Sequence, residues 1–427
     1  MIPLAEARRT VLEAMVPLPV EVRALAEAIG CVLGKPVVAP EPVPSFTNSA
    51  MDGYALRAQD TTSAPSELQV VGTVMAGDAP TLTLRPGQAA RIMTGAPLPA
   101  GADAVCMVER THPGDAGSVV VEGPVSVGEH VRHPGEDVAA GSTVFEAGVA
   151  VTPAHLGVLT SLGIDEVAVV RRPRVGVLST GDELVTGTGP LAPGKIRDSN
   201  RPGLLARLAA DGAVAVDLGR IGDDESLVAA AFAEAAGTCD AIVTSGGVSV
   251  GDRDVVRMVL DRLGGPHMVW MQVAIKPAKP FAFGRIGESA TPVFGLPGNP
   301  VSALVSYELF VRPALRAMAG HHRLDRPVLR AAAAEPLTRQ PDGKLHLVRV
   351  VATVGADGTL QVTPSTGQAS HQLRALADAN ALALVPDGVG VAAGEPVAVL
   401  LLDESRLGTA AHSRFGLGPG FTLEPAW

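Results

Sequence analysis

Residues 172 to 320 alternate short apolar runs with helical patterns, and this alternation constrains the fold most. RVGVLSTG (174–181) reads as a buried strand. RPGLLARLAADG (201–212) reads as a helix, with Leu204, Leu205 and Leu208 inward and Gly212 as its stop. AVAVDLGRI, DAIVTSGG and MVWMQVAIKP continue as strands, with helices at ESLVAAAFAEAAG and DRDVVRMVLDRLG between them. PFAFGRI and TPVFGLPG read as a hairpin, and NPVSALVSYELFVRPALRAMAG as the closing helix. Such alternation predicts a mostly parallel sheet covered by helices on both faces, a three-layer α/β domain. Sheets of this kind bind ligands in the crevice beyond the C-terminal ends of their strands. The glycine-rich turn TSGGVSVGDRD (244–254) falls there.

The rest of the chain follows other rules. Between 43 and 140, valine-rich pieces such as LQVVGTVMAG and ADAVCMVERT alternate with Gly and Pro turns, predicting an all-β module. Helical segments are expected on either side of it, at 4–30 and 152–163, the second capped by Thr152 with Pro153 at its first position. The module is therefore expected as an insertion (43–140) in a connecting domain made of 1–42 and 141–171. Residues 321–405 read as a second β domain, with LHLVRVVATV and TLQVTPST flanking the Asp357-Gly358 turn. Residues 406–427 show no periodicity and read as a tail.

Composition narrows the partners. A net charge of -10 disfavours nucleic acid and anionic membranes, and 3% aromatic residues leave few platforms for base stacking. Cys31, Cys106 and Cys239 are far apart, which disfavours a zinc site or a disulfide framework. The first residues carry Glu6, Arg8, Arg9 and Glu13 and read as an amphipathic helix through Val11, Leu12 and Met15, not as a leader. A cytoplasmic protein is the expectation.

Polar clusters recur at the predicted strand ends of the α/β domain. They are Ser179-Thr180-Gly181-Asp182-Glu183, Arg197-Asp198-Ser199-Asn200, Gly222-Asp223-Asp224-Glu225, and Asp252 with Asp254. Capping explains each cluster singly. Lys276 and Lys279 stand among prolines in a rigid turn, and surface lysines need no such rigidity. Taken together, the carboxylates and lysines share one rim of one sheet. Carboxylates with a divalent cation, and lysines with phosphate, suit the binding and cleavage of a phosphoanhydride. No Walker pattern occurs. Gly247-Val248-Ser249-Val250-Gly251 matches G-x-S-x-G, but no downstream Asp and His are placed to complete a triad. In the β module, turn chemistry does not require the order Met51-Asp52-Gly53-Tyr54.

These stretches resemble one family, the molybdopterin molybdenumtransferases of the bacterial MoeA type, related to the gephyrin E domain. The resemblance is carried by S-x-M-D-G-Y-A (49–55), R-I-M-T-G-A-P-L-P-x-G-A-D-A-V (91–105), P-G-E-D-V (134–138) and S-T-G-D-E-L (179–184). It continues with I-R-D-S-N (196–200), T-S-G-G-V-S-V-G-D-x-D (244–254), K-P-x-K-P-F-A-F-G (276–284) and G-L-P-G-N-P-V-S-A (295–303). The motifs run in family order through residues 1 to 403, and the tail lies outside them.

The resemblance implies four parts: an elongated connecting domain, an inserted β domain, a molybdopterin-binding α/β domain (172–320) and a C-terminal β-barrel (321–405). It implies a homodimer whose site lies between one subunit's α/β domain and its partner's inserted domain. The implied substrates are adenylylated molybdopterin and molybdate, with Mg²⁺ or another divalent cation, and other molybdenum-cofactor biosynthesis proteins as partners. Position by position, Asp52 and Thr94 match cross-subunit site residues, and Glu183 and Asp254 match catalytic acids. Glu183, Asp223 and Asp254 match the acids assigned to the cation, with Asp223 and Asp224 not distinguished. Lys276 and Lys279 match anion-binding lysines, and Pro297 and Pro300 the prolines of the last loop. The same motifs place Asp137, Ser199, Ser245, Gly246, Gly247 and Ser249 among the substrate-binding residues. Arg349 and Ser370 match an anion-handling Arg and Ser in a more loosely similar stretch. A molybdopterin adenylyltransferase, a nucleotide pyrophosphatase and a non-catalytic scaffold are the alternative readings. The S-x-M-D-G-Y-A module distinguishes the chain from the first two, which lack it.

Overall fold

The computed structural model describes residues 1–79, 81–248, 254–355 and 357–409. These form two compact units, one of residues 22–169 and one of 1–21 with the chain from 170 onward.

The first unit is built on a six-stranded sheet. Its order is Ala104–Met107, Gly53–Leu56, Gln88–Ile92, Ser66–Val74, Ser118–Val121 and Thr111–Pro113. Leu56, Leu68, Ala89, Cys106 and Val119 fill one of its cores. The expected all-β module is present. The expected helical stretch at 4–30 is not continuous. Leu4–Leu12 is helical, but Val20–Ala24 is a strand paired with Glu166–Val170, and only Leu25–Ala28 returns to helix. VEVRA alternates its exposure along the strand, the period of a β ribbon rather than a helix. The helix Pro153–Ser161 starts as expected: the Thr152 hydroxyl accepts from the His155 N–H, and Pro153 fills the first turn.

The second unit holds the α/β domain and the C-terminal barrel. The α/β sheet runs Val214–Ile221, Arg174–Thr180, Ala241–Ser245, Thr291–Leu296, Pro280–Ile286, Val269–Gln272. The first four strands are mutually parallel, Pro280–Ile286 runs antiparallel to them, and Val269–Gln272 pairs antiparallel with it. Both faces are buried. Ala241 and Val243 pack with Leu204, Leu208 and Phe310 on one side, and Ile242 packs with Phe232, Val256 and Leu260 on the other. The predicted helices form at Asn200–Ala210, Glu225–Thr238, Val255–Gly264 and from Pro300 to Met318. A buried ionic cluster ties the first of these helices to the last. Asp211 accepts from Arg312 Nε at 3.2 Å, Arg326 Nη2 at 3.0 Å and the Tyr307 hydroxyl at 3.0 Å.

One expected strand divides. MVWMQVAIKP keeps Val269–Gln272 in the α/β sheet, but Ile275–Lys276 leaves it to pair in parallel with Leu345 and His346 of the C-terminal domain. The lysine segment is thereby drawn to the barrel. That barrel closes on five strands, Leu345–Val354, Leu360–Pro364, Val328–Ala333, Pro396–Leu401 and Ala381–Val385, the last returning to the first. The Asp357–Gly358 turn forms as expected, with Asp357 accepting from the Thr359 N–H at 3.0 Å and hydroxyl at 2.7 Å. Among the described residues no helix is long and apolar enough to cross a membrane. Cys31, Cys106 and Cys239 are buried and not joined in disulfides.

Candidate active site

Sheet register gathers the first group of site residues. Ser179 pairs with Ser245, and Ser245 with Leu296, so three parallel strands end at one level. Beyond that level lies a pocket of about 570 Å³, whose lining includes Glu183, Ser199, Asn200, Ser245, Gly246 and Pro300. Asn200 spans it: its amide donates to the Ser245 hydroxyl and to the Gly298 carbonyl, each at 2.7 Å. Asp198 is fully engaged, accepting from Ser179 Oγ at 3.2 Å and Arg201 Nε at 2.9 Å. Glu183, by contrast, is exposed and lines the pocket. A Cβ on Gly181 would lie 2.5 Å from a Glu183 carboxylate oxygen, and Gly181 holds φ +137, so glycine is required before this acid.

The glycine turn after Ala241–Ser245 is equally specific. Gly246 and Gly247 hold φ +94 and +73. A Cβ on Gly247 would sit 2.4 Å from Val256 and 3.0 Å from Asp254 Oδ1. Asp254 caps the helix Val255–Gly264, accepting from the Arg257 N–H at 3.3 Å. Ser249 lies outside the described residues. Asp224 and Asp223 are now distinguished: Asp224 caps the helix Glu225–Thr238 through the N–H groups of Ser226 and Leu227, and Asp223 is exposed beside it. Pro300 fills the first turn of its helix and Pro297 is buried just before it.

Lys276 and Lys279 do not line this pocket. They open, with Ser302 and Ser370, onto a separate cavity of about 1150 Å³ between the α/β domain and the barrel. The single rim of carboxylates and lysines expected from the sequence is thus two cavities, because Ile275–Lys276 joins the barrel's sheet. Both lysines are exposed, and neither amine has a partner among the described residues. Ala278 between them holds φ +73, an unusual conformation for a residue with a Cβ. Further round, His346 and Lys344 reach Asp342 at 3.2 and 2.9 Å. Burial pushes the His346 imidazole below its usual range, against the pull of Asp342.

Arg349 stands behind this cavity. It is fully buried, donating through Nη2 to the carbonyls of Gly367 at 2.8 Å and Ala369 at 3.3 Å. Among the described residues, its Nε and Nη1 are buried without a hydrogen-bond partner and no carboxylate pairs with it. Burial alone holds the guanidinium below its ordinary value. A buried cation with free donors suits an anion beside Ser370.

In the other unit, Asp52 and Thr94 meet. Gly53 pairs with Ile92, which leaves Asp52 and Thr94 side by side at the strand ends. The Thr94 N–H and hydroxyl both donate to Asp52 Oδ1, at 2.7 and 2.8 Å. Those bonds, helped by Arg91, hold the Asp52 carboxyl below the usual carboxylate range. The order Met-Asp-Gly-Tyr now has physical reasons. A Cβ on Gly53 would fall 2.0 Å from the Cys106 carbonyl oxygen, and Tyr54 packs under Arg91 at 5.0 Å. Asp137 is exposed in the same unit.

Three family models match in order. They are the MoeA N-terminal region (domain I and II) over residues 2–163, a probable molybdopterin binding domain over 176–317, and the MoeA C-terminal region (domain IV) over 330–402. A Mycobacterium tuberculosis protein named molybdopterin molybdenumtransferase 2 is 45% identical over 384 residues, 88% of this chain and 93% of that one. The chain belongs to the molybdopterin molybdenumtransferase family. The Haemophilus influenzae member is 38% identical over 401 residues, 93% of this chain and 98% of its own. A crystal structure of the molybdopterin biosynthesis MoeA protein from Pyrococcus horikoshii matches with a TM-score of 0.79 at 28% identity, covering 94% of this chain and all (100%) of that one.

The three acids that the resemblance assigns to a cation do not converge. Among the described residues, no three Asp, Glu, His or Cys side chains stand together as a metal site needs. Mg²⁺, however, usually takes only one or two carboxylates and fills its octahedron with substrate oxygens and water. Glu183 lines the pocket, whereas Asp254 caps its helix next to the glycine turn.

Sequence reasoning missed several lining residues. His371, Lys344 and His346 carried no motif. Asn200 and Asp198 lay in I-R-D-S-N, where the surplus of polar residues over capping needs was the available signal.

Proposed function

We propose that this chain inserts molybdenum into molybdopterin, taking molybdate and adenylylated molybdopterin as substrates and releasing AMP. One observation carries the reading. A cavity with two unpaired lysines adjoins a separate pocket of carboxylate, hydroxyl and glycine backbone at the strand ends. The first offers two cations to an oxyanion, and the second offers hydrogen-bond donors and a carboxylate to a ligand's phosphates and their cation.

Lys276, Lys279 and Ser370 bind molybdate, with Arg349 behind the loop supplying positive charge. Ser245, Asn200 and the Gly246–Gly247 turn orient the pterin phosphate. Glu183 and Asp254 would hold Mg²⁺, which would neutralise charge on the phosphoanhydride. Asp52 and Thr94 form a polar pair offered to the site of a partner subunit in a homodimer. Asp52 stays ionised there because Thr94 donates to it twice. We place the enzyme in the cytoplasm.

The purified chain is incubated with adenylylated molybdopterin and AMP is followed by chromatography. Release that requires both molybdate and Mg²⁺ is the expected result. No release from authentic substrate contradicts the reading, and consumption of ATP with free molybdopterin points to an adenylyltransferase instead.

A further inference from the structure

One side chain of the strand-end pocket has no task in the reaction outlined above. The lining carries two acids, Glu183 and Asp198, and two side chains able to bear positive charge, Arg197 and His371. Arg197 donates to the carbonyls of Gly187, Thr188 and Gly189, which commits it to its own loop. Lys276 and Lys279 line the other cavity. His371 comes from the C-terminal domain, is exposed, and its ring makes no hydrogen bond or ion pair to a described residue.

The loop that carries it is fixed from several directions. Arg349 Nη2 holds the carbonyls of Gly367 and Ala369. Gln368 Oε1 accepts from the Arg349 N–H at 3.0 Å, and its amide donates back to the Arg349 carbonyl at 2.9 Å. Gln372 Oε1 accepts from the Ala369 N–H at 2.8 Å, and the Ser370 carbonyl accepts from the Val301 N–H at 3.1 Å. Consecutive residues therefore serve different cavities: Ser370 lines the lysine cavity and His371 the strand-end pocket. An imidazole carried on a loop held this firmly brings a hydrogen-bond donor to a pocket of hydroxyls, amides and glycine backbone, which suits an anion's oxygens.

We propose that His371 binds the phosphoryl oxygens of the nucleotide-bearing pterin substrate, contributing an imidazole N–H donor from the C-terminal domain. The inference rests on the substrate assigned under Proposed function.

His371→Ala, His371→Gln and His371→Lys are made in the full chain. KM and kcat are measured with adenylylated molybdopterin, and AMP binding is measured by calorimetry without turnover. His371→Ala is expected to raise KM and the AMP Kd about tenfold or more, the loss of one hydrogen bond to an anionic phosphate. The molybdate KM stays unchanged, His371→Lys recovers most of the loss, and His371→Gln recovers less. Arg374→Ala, which removes an exposed cation of the depression on the other side of His371 and outside the strand-end pocket, leaves both constants at wild-type values. Wild-type AMP affinity in His371→Ala, or a lysine variant no better than the alanine variant, overturns the proposal. A wild-type enzyme that releases no AMP sinks the reaction instead, and the AMP-binding series still judges His371.

Discussion

The Val301 N–H donates to the Ser370 carbonyl at 3.1 Å, joining the last helix of the α/β domain to the loop of the barrel. Residues on the two sides of this bond line different cavities: Pro300 and His371 the strand-end pocket, Ser302 and Ser370 the lysine cavity. The loop that makes the bond is held by Arg349. Arg349→Met should therefore raise the KM for molybdate and for adenylylated molybdopterin together, each by about tenfold or more, as a guanidinium making two hydrogen bonds is lost. Ser370→Ala should raise only the molybdate KM. Steady-state kinetics with each substrate varied in turn checks both, and a single-substrate effect from Arg349→Met contradicts the shared role.

The two lysines and Glu183 separate for the same reason. Lys276→Ala and Lys279→Ala should each raise the molybdate KM about tenfold, the usual scale for one charged contact, and leave the pterin KM within about twofold. Glu183→Gln should do the reverse, changing the pterin KM or kcat and its Mg²⁺ dependence. Identical profiles for the lysine and glutamate variants would mean one cavity, not two.

Asp52 gives a pH signature. Its folded carboxyl lies below the ordinary range because of the Thr94 backbone and side-chain bonds, in that order. A depressed carboxyl contributes stability above its unfolded pKa and loses it as pH falls through the folded value. Thr94→Val keeps the N–H and removes the hydroxyl, so the Asp52 midpoint should move upward, toward the ordinary carboxylate range. Carbon-detected NMR titration of the Asp52 carboxyl reads this directly, and an unmoved midpoint refutes the assignment of the hydroxyl.

Asp211 tests the scaffold. Its side chain is 13% exposed and neutralises Arg312 and Arg326. Removing one partner of a buried ionic cluster costs about 3 to 5 kcal/mol, because the remaining charges stay buried. Urea unfolding of Asp211→Ala should show a loss of that order, whereas a loss under about 1 kcal/mol would place the cluster in effective contact with water.

Much of this was legible in the sequence. The α/β domain announced itself through strand and helix periods, and Leu204 and Leu208 are buried where the helical repeat puts them. The hairpin of Pro280–Ile286 and Thr291–Leu296 follows from two apolar runs with a short break. Val20–Ala24 was misread because a short strand beside a short helix offers too few residues for either period to dominate. The division of the site was not legible either. Ile275–Lys276 is apolar and extended in either sheet, and only the tertiary pairing with Leu345 and His346 moves Lys276 away from Glu183. Likewise Asp223 and Asp224 are equal in the sequence, and helix geometry alone assigns the cap to Asp224. His371 escaped because a histidine in a loop has no period and no spacing to read.

The central claim is that molybdate and the nucleotide-bearing pterin occupy separate cavities at once. Calorimetric titration of molybdate into the purified protein, with and without saturating AMP, tests it most directly. Binding of molybdate with its stoichiometry intact in the presence of AMP is the predicted result. Loss of molybdate binding as AMP saturates, in simple competition, would contradict it.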